Sequence, residues 1–217
     1  MAEQNKIGVL VINLGTPESP EPTAVGSYLR EFLMDKWVID LPWPLRWFLV
    51  NVLIVPKRKF ASAKNYQKIW TDKGSPLLVL TSKFSRALQQ QLKSDSPGDR
   101  YVVAIGMRYG KPSLQEALEH LKDQNCERVI VLPLYPQYAE STTRSSLERV
   151  QELAANFGFK QRLVEVKSFY AHTQYLSSLA SSAHDYLGEF DHLLMSFHGL
   201  PERQVKKVDP LHNSCLK

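Results

Sequence analysis

Three uninterrupted runs of apolar and β-branched residues restrict this chain to very few architectures. Ile7–Asn13 (IGVLVIN), Tyr101–Met107 (YVVAIGM) and Arg128–Leu134 (RVIVLPL) lack the polar–apolar alternation of a half-exposed strand. A strand written this way is buried on both faces, the condition of a parallel sheet covered by helices on either side. The segments between carry the helical period. Ser113–Asp123 has a stripe of Leu114, Ala117, Leu118 and Leu121, and Pro22–Met34 puts Val25, Tyr28, Leu29 and Phe32 on one face. Helices are also expected over Ala61–Trp70, Pro76–Leu92, Thr142–Phe157 (ended by Gly158) and Thr173–Leu187. Leu163–Val166 opens a fourth strand, and His192–Phe197 reads as a fifth. The alternation predicts an α/β fold with a doubly wound parallel sheet flanked by helices.

Right-handed crossovers bring the carboxyl ends of such strands to one rim, where open α/β sheets hold their ligands. The loops expected there are Leu14–Pro17, Arg108–Gly110, Tyr135–Tyr138 and His198–Pro201. The 217 residues suffice for one sizeable core, or one domain and part of another. A boundary through Ser168–His172 divides a first α/β domain, 1–168, from the start of a second, 169–217.

Composition removes several classes. Hydrophobic residues make up 43% and charged residues 23%, an ordinary globular balance. The net charge of +5 suits an anionic ligand or surface, but the densest basic run is only Lys57-Arg58-Lys59, which argues against nucleic acid. Cys126 and Cys215 form no CxxC pair, so neither a disulfide framework nor a zinc ribbon is indicated. The polar Met1–Lys6 lacks a signal-peptide core, and no run of about 18 apolar residues would cross a membrane. A cytoplasmic location is the expectation.

The rim loops carry the chemistry. His198 follows Leu193-Leu194-Met195 at an expected strand end; it either caps the strand or exchanges protons and binds metal. Asn13-Leu14-Gly15-Thr16-Pro17 is a strand-to-loop turn without the GxGxxG pattern, and no GxxxxGK[ST] occurs. Ser75 before Pro76 is a natural helix cap or a ligand contact. Tyr138, Ser141 and Thr142 lie where a strand meets a helix, and either cap that helix or face a large planar ligand. Leu41–Pro56 is apolar without strand alternation and carries Trp43, Trp47 and Phe48. It is either a core helix after Pro44 or an exposed lip over a pocket.

Four stretches in order, NLGTP at 13–17, GSPL at 74–77, LPLYPQYAESTT at 132–143 and SFHGLPER at 196–203, resemble the ferrochelatases, which insert ferrous iron into a porphyrin. The resemblance spans almost the whole chain and is closest to proteobacterial members, which favours protoporphyrin IX over coproporphyrin. It implies that His198 is the proton acceptor or iron ligand, that Tyr66 and Ser75 contact porphyrin, and that Arg58 faces the propionates. Leu14 and Trp43 fall at positions of the family's pocket, and Tyr138, Ser141 and Thr142, read from the residues alone, complete the expected binding set. Leu14 stands where some relatives carry tyrosine. Glu140 stands where relatives with a [2Fe-2S] cluster use cysteine, which counts against such a cluster, and no permanently bound cofactor is implied. Residues 41–55 correspond to the apolar pocket mouth, with possible contact to the inner membrane surface. The family also has a second α/β domain bearing an acid that faces the histidine. The sequence stops at Lys217, so a complete first domain, an incomplete second one and negligible turnover by these residues alone are expected. A chelatase for another tetrapyrrole and a non-catalytic porphyrin-binding module are the competing readings.

Overall fold

The computed structural model describes residues 5–96, 100–159, 162–184, 186, 188 and 190–209. Contacts divide the chain into two compact units, Met1–Ser168 and Phe169–Lys217.

The first unit is built on four strands, β1 (Lys6–Thr16), β2 (Tyr101–Gly110), β3 (Cys126–Pro133) and β4 (Leu163–Glu165). All pairings are parallel, in the order β2-β1-β3-β4. The doubly apolar runs thus become β1, β2 and β3, and the most uniformly apolar of them is central. Leu10, Val11 and Ile12 are fully buried.

The helices are α1 (Pro22–Leu33), α2 (Trp43–Phe48), α3 (Val55–Ile69), α4 (Pro76–Asp95), α5 (Leu114–Asp123) and α6 (Ser145–Ala154). α5 begins with a full capping box. Ser113 accepts from the Glu116 N–H at 3.2 Å, and Glu116 accepts from the Ser113 N–H at 2.6 Å. Its expected stripe is the buried one: Leu114, Leu118 and Leu121 pack with Leu10, Ile12, Val129 and Val131 and with Leu147, Val150 and Leu153 of α6. Each such fully buried side chain contributes about 1.5–3 kcal/mol. α6 runs into a short 3-10 turn and stops at Gly158, whose φ of 77° is left-handed. A smaller cluster, Leu33, Val50 and Val55 with Phe32, Val38 and Ile39, lies under the helices that follow α1.

Two differences from the sequence reading concern helices. The stretch Leu41–Pro56, open between a core helix after Pro44 and an exposed lip, is helical from Trp43 and keeps Trp43, Trp47 and Phe48 exposed. α2 continues through a π-helical stretch, Leu49–Ile54, into α3, which therefore starts six residues before Ala61. Pro44 is tolerated because it falls in the first turn of α2, where no N–H partner is lost, whereas Pro56 stands directly after the π-helical stretch, where the regular α-helical hydrogen-bond ladder is already interrupted. A second π-helical stretch, Glu140–Arg144, precedes α6. π-Turns are rare and recur at functional sites.

β2 is an edge strand with a partly closed edge. The Gln89 side chain donates to the Tyr101 carbonyl at 2.9 Å and accepts from the Val103 N–H at 2.8 Å, and Met107 N–H donates to the Pro112 carbonyl at 2.6 Å.

The second unit holds α7 (Thr173–His184) and α8 (Glu202–Val208). The expected fifth strand, His192–Phe197, is not formed; these residues have no regular structure. Leu194 is 92% and Phe197 73% exposed. A strand exists only with a partner to complete its hydrogen bonds, and the described residues of this unit hold no named strand. α7 ends at His184, and the remainder of its expected span reaches residues outside the described set. Helix α8 has no counterpart in the sequence reading. Its signs were Glu202 in the first turn, Lys206 and Lys207 in the last, and a Glu202–Lys206 pair at 3.0 Å.

Candidate active site

Strand order locates the site before any side chain is considered. From β1 the chain crosses to β2 on one side, then returns past β1 to β3 and β4 on the other. The carboxyl ends of β1 and β3 therefore flank a topological switch point, the crevice in which open α/β sheets bind ligands.

On the β1 bank the backbone is pinned. The Leu14 N–H donates to the Asn13 side chain at 2.8 Å, and Asn13 donates to Thr81 of α4 at 3.0 Å. Gly15 has φ of 111°, and a Cβ there would collide with the Tyr109 carbonyl oxygen, so only glycine lets β1 and β2 close at the rim. The Tyr28 hydroxyl donates to the Gly15 carbonyl at 3.2 Å. The Tyr66 ring stands edge-on to Tyr28 at 6.3 Å and to Trp70 at 6.2 Å, which makes a continuous aromatic wall.

Ser75 occupies the N-cap position of α4 but makes no capping bond. Its buried hydroxyl instead accepts from Thr16 at 2.8 Å, which joins α4 to the end of β1. Ser141 and Thr142 are not caps either. Both lie inside the π-helical stretch, which starts after Ala139 with no side-chain cap. Tyr138 stands on the same bank, 41% exposed. Arg58 is exposed on α3, about two turns before Tyr66. Trp43 leads α2 and is 61% exposed.

The structure thus links Leu14, Tyr66 and Ser75 through Tyr28 and Thr16, and places Tyr138, Ser141 and Thr142 after β3. His198 belongs to the second unit. It is exposed, with Nδ1 2.7 Å from the Gly199 carbonyl oxygen.

Burial pushes the phenols of Tyr28 and Tyr109 well up, that of Tyr135 to about 12, and raises that of Tyr66. They are neutral hydrogen-bonding groups at ordinary pH, not bases.

Sequence reasoning missed the polar anchor beneath this rim. Asp35, in the loop after α1, accepts from the Trp37 N–H at 2.8 Å and from the Tyr109 hydroxyl at 2.8 Å, and also from Ser145 and Arg108. Arg108 further donates to the Ser145 hydroxyl at 2.7 Å. Burial alone would raise the Asp35 carboxyl; the bonds from Ser145, Trp37, Arg108 and Tyr109 outweigh it and hold the group below the usual carboxylate range. Arg108 and Tyr109 lay on an expected rim loop, but nothing local marks Asp35.

The Glu140 position does not suit an iron–sulfur cluster. Its buried carboxylate pairs with Arg144 at 2.7 Å, and such clusters are held by thiolates. Cys126 is buried in the core on β3, and Cys215 lies outside the described residues.

The fold defines a class: a doubly wound parallel α/β domain with a topological switch point between β1 and β3. The family model for ferrochelatase matches residues 6–217. A protein of Coxiella burnetii (strain Dugway 5J108-111) named ferrochelatase is 48% identical over 205 residues, 94% of this chain and 55% of that protein. One of Ectopseudomonas mendocina is 46% identical, covering 96% and 59%, and one of Pseudomonas savastanoi pv. phaseolicola 42% identical, covering 96% and 60%. The chain belongs to the ferrochelatase family. It spans rather more than half the length of the curated relatives it matches.

Proposed function

We propose that this protein serves the insertion of ferrous iron into protoporphyrin IX, a lyase-class reaction that forms haem b. The family match over residues 6–217 carries the reading. The rim crevice of the first unit supplies its chemistry.

Iron enters the macrocycle only as two pyrrole N–H protons leave, so one group must accept protons near neutral pH. The buried phenols cannot do so. An imidazole can, and His198 in the SFHGLPER stretch is assigned that role, or that of transient iron ligand. In this reading the ring lies against the Tyr28–Tyr66–Trp70 wall with Leu14 beneath it. The hydroxyls of Ser75, Ser141 and Thr142 and the phenol of Tyr138 meet its polar edge. Arg58, beside Lys57 and Lys59, draws the propionates. Residues 169–217, which carry His198, are assigned to the start of a second domain.

Trp43, Leu45, Trp47 and Phe48 are all exposed, at 61%, 60%, 45% and 52%. With the basic residues that follow, they form a pocket mouth able to rest on an anionic lipid surface. Among the described residues no helix is long and apolar enough to cross a membrane. The proposed location is the cytoplasm, in peripheral contact with the inner membrane.

The test has two arms. Protoporphyrin and coproporphyrin are titrated against the 217-residue chain by fluorescence, with saturable binding and preference for protoporphyrin expected. Anaerobic iron insertion is then measured with His198→Ala in a form of the protein that carries the activity. A loss of at least about a hundred-fold, with porphyrin binding retained, is expected. Absence of saturable binding to either porphyrin, or near-normal insertion by His198→Ala, defeats the assignment.

A further inference from the structure

The segment between α1 and α2, residues 34–42, joins two places that the proposed function treats separately: the pocket mouth and the rim after β3. On the mouth side, Arg46 of α2 donates to the carbonyls of Ile39 at 3.2 Å and Leu41 at 3.0 Å. Val38 and Ile39 pack with Val50 and Val55. The mouth is therefore seated on this segment, which is itself held from the other side by α6 and the π-turn before it.

That hold is a stack flanked by two carboxylates. The Arg144 guanidinium lies over the Trp37 ring, 3.8 Å from its centroid. Arg144 pairs with Glu140 at 2.7 Å and with Glu148 at 3.2 Å. Glu148 also accepts from the Trp37 indole N–H at 2.8 Å and pairs with Lys36 at 3.3 Å. Arginine suits this position because its planar cation can stack and serve two carboxylates at once, which lysine cannot. Arg144 is the last residue of the stretch that carries Ser141 and Thr142.

We infer that Arg144 is a positioning residue for porphyrin: by clasping Trp37 it sets the pocket mouth, Trp43–Ile54, relative to the Ser141–Thr142 turn. The inference rests on the proposed porphyrin reading for its functional meaning, but its mechanical part can be measured without ligand. The clasp is partly exposed and ionic, so salt should loosen it. The Asp35 anchor on the same segment is buried and should respond much less.

The experiment is hydrogen exchange on the 217-residue chain, wild type and Arg144→Ala, at low and high salt, followed by protoporphyrin titration. Arg144→Ala should speed exchange across residues 36–54 about five- to ten-fold and leave α5, 114–123, unchanged. High salt should move the wild type toward the variant and leave the variant where it is. Trp37→Phe, which keeps a ring for the stack, should be milder than Trp37→Ala. The protoporphyrin Kd should rise about three- to ten-fold in Arg144→Ala. Unaltered exchange at 36–54 overturns the inference whatever the porphyrin result. Faster exchange with an unchanged Kd overturns its functional half. Failure of the wild type to bind porphyrin defeats the proposed function, and with it that half alone.

Discussion

The rim of the first unit and the stretch 190–200 of the second both carry family motif, yet they are organised in opposite ways. At the β1 side of the rim the polar groups are tied together: Thr16 with Ser75, Asn13 with Thr81, Tyr28 with Gly15, and Asp35 with four donors. In 190–200, Phe190, Leu193, Leu194, Met195 and Phe197 are each at least 67% exposed. Both segments are apolar. The difference is that β1 has hydrogen-bonded neighbours on both sides, whereas the second unit offers its apolar run no named strand among the described residues. An apolar sequence becomes a strand only where its backbone can be satisfied.

Proteolysis should show the contrast at its greatest. Chymotrypsin is expected to cut after Phe190, Leu194 or Phe197 at least about a hundred times faster than anywhere within β1–β3, because cleavage there needs no unfolding of the sheet. Fragment mass spectrometry over time checks it, and equal rates would erase the distinction between the regions.

Removing the anchor is the next largest perturbation. Asp35→Ala leaves the half-buried Arg108 and the Tyr109 and Ser145 hydroxyls without their shared carboxylate and should cost the first unit about 2–3 kcal/mol. A chemical-denaturation midpoint followed through first-unit tryptophans reads this, and a change under about 1 kcal/mol would mean the network is incidental.

Acid provides a graded form of the same test. The Asp35 carboxyl is held low in the folded state, so its contribution is present above the unfolded value of about 3.9 and is lost as pH falls through the lower folded value. Asp35→Asn should therefore show a shallower fall in stability below about pH 4 than the wild type. Parallel acid limbs would assign the loss to other carboxylates.

The smallest effect is expected at the pocket mouth. Trp43→Ser with Trp47→Ser removes exposed rings and should alter stability by no more than about 0.5 kcal/mol, while weakening binding to anionic vesicles. A large drop in the melting temperature would show these rings to be core.

Much of this was legible in the sequence, for identifiable reasons. Continuous apolar runs announced β1, β2 and β3, and the 3.6-residue stripe announced α5 with the very residues that are buried. The helix through Leu41–Pro56 was left open against an exposed lip because Pro42 and Pro44 look like breakers until they are seen to stand at the N-cap and in the first turn of α2. His192–Phe197 was misread because periodicity reports burial potential and says nothing of whether a partner strand is present. Ser75 was open between cap and contact. Its bond to Thr16, 59 residues away, is a tertiary fact that no local pattern carries. Asp35 escaped for the same reason: its partners Arg108, Tyr109 and Ser145 are 73, 74 and 110 residues distant.

The Gln89 side chain of α4, laid against the edge of β2, limits where the sheet can grow. Its amide satisfies one carbonyl and one N–H that an incoming strand would otherwise claim, and Pro112 takes another position further along. That margin is hemmed, so a foreign strand would have to evict a built-in imitation of itself before it could add there. The opposite margin is only three residues long, and its middle residue, Val164, is half exposed. Unwanted stacking of one sheet on the next is thus discouraged at one border by mimicry and at the other by brevity.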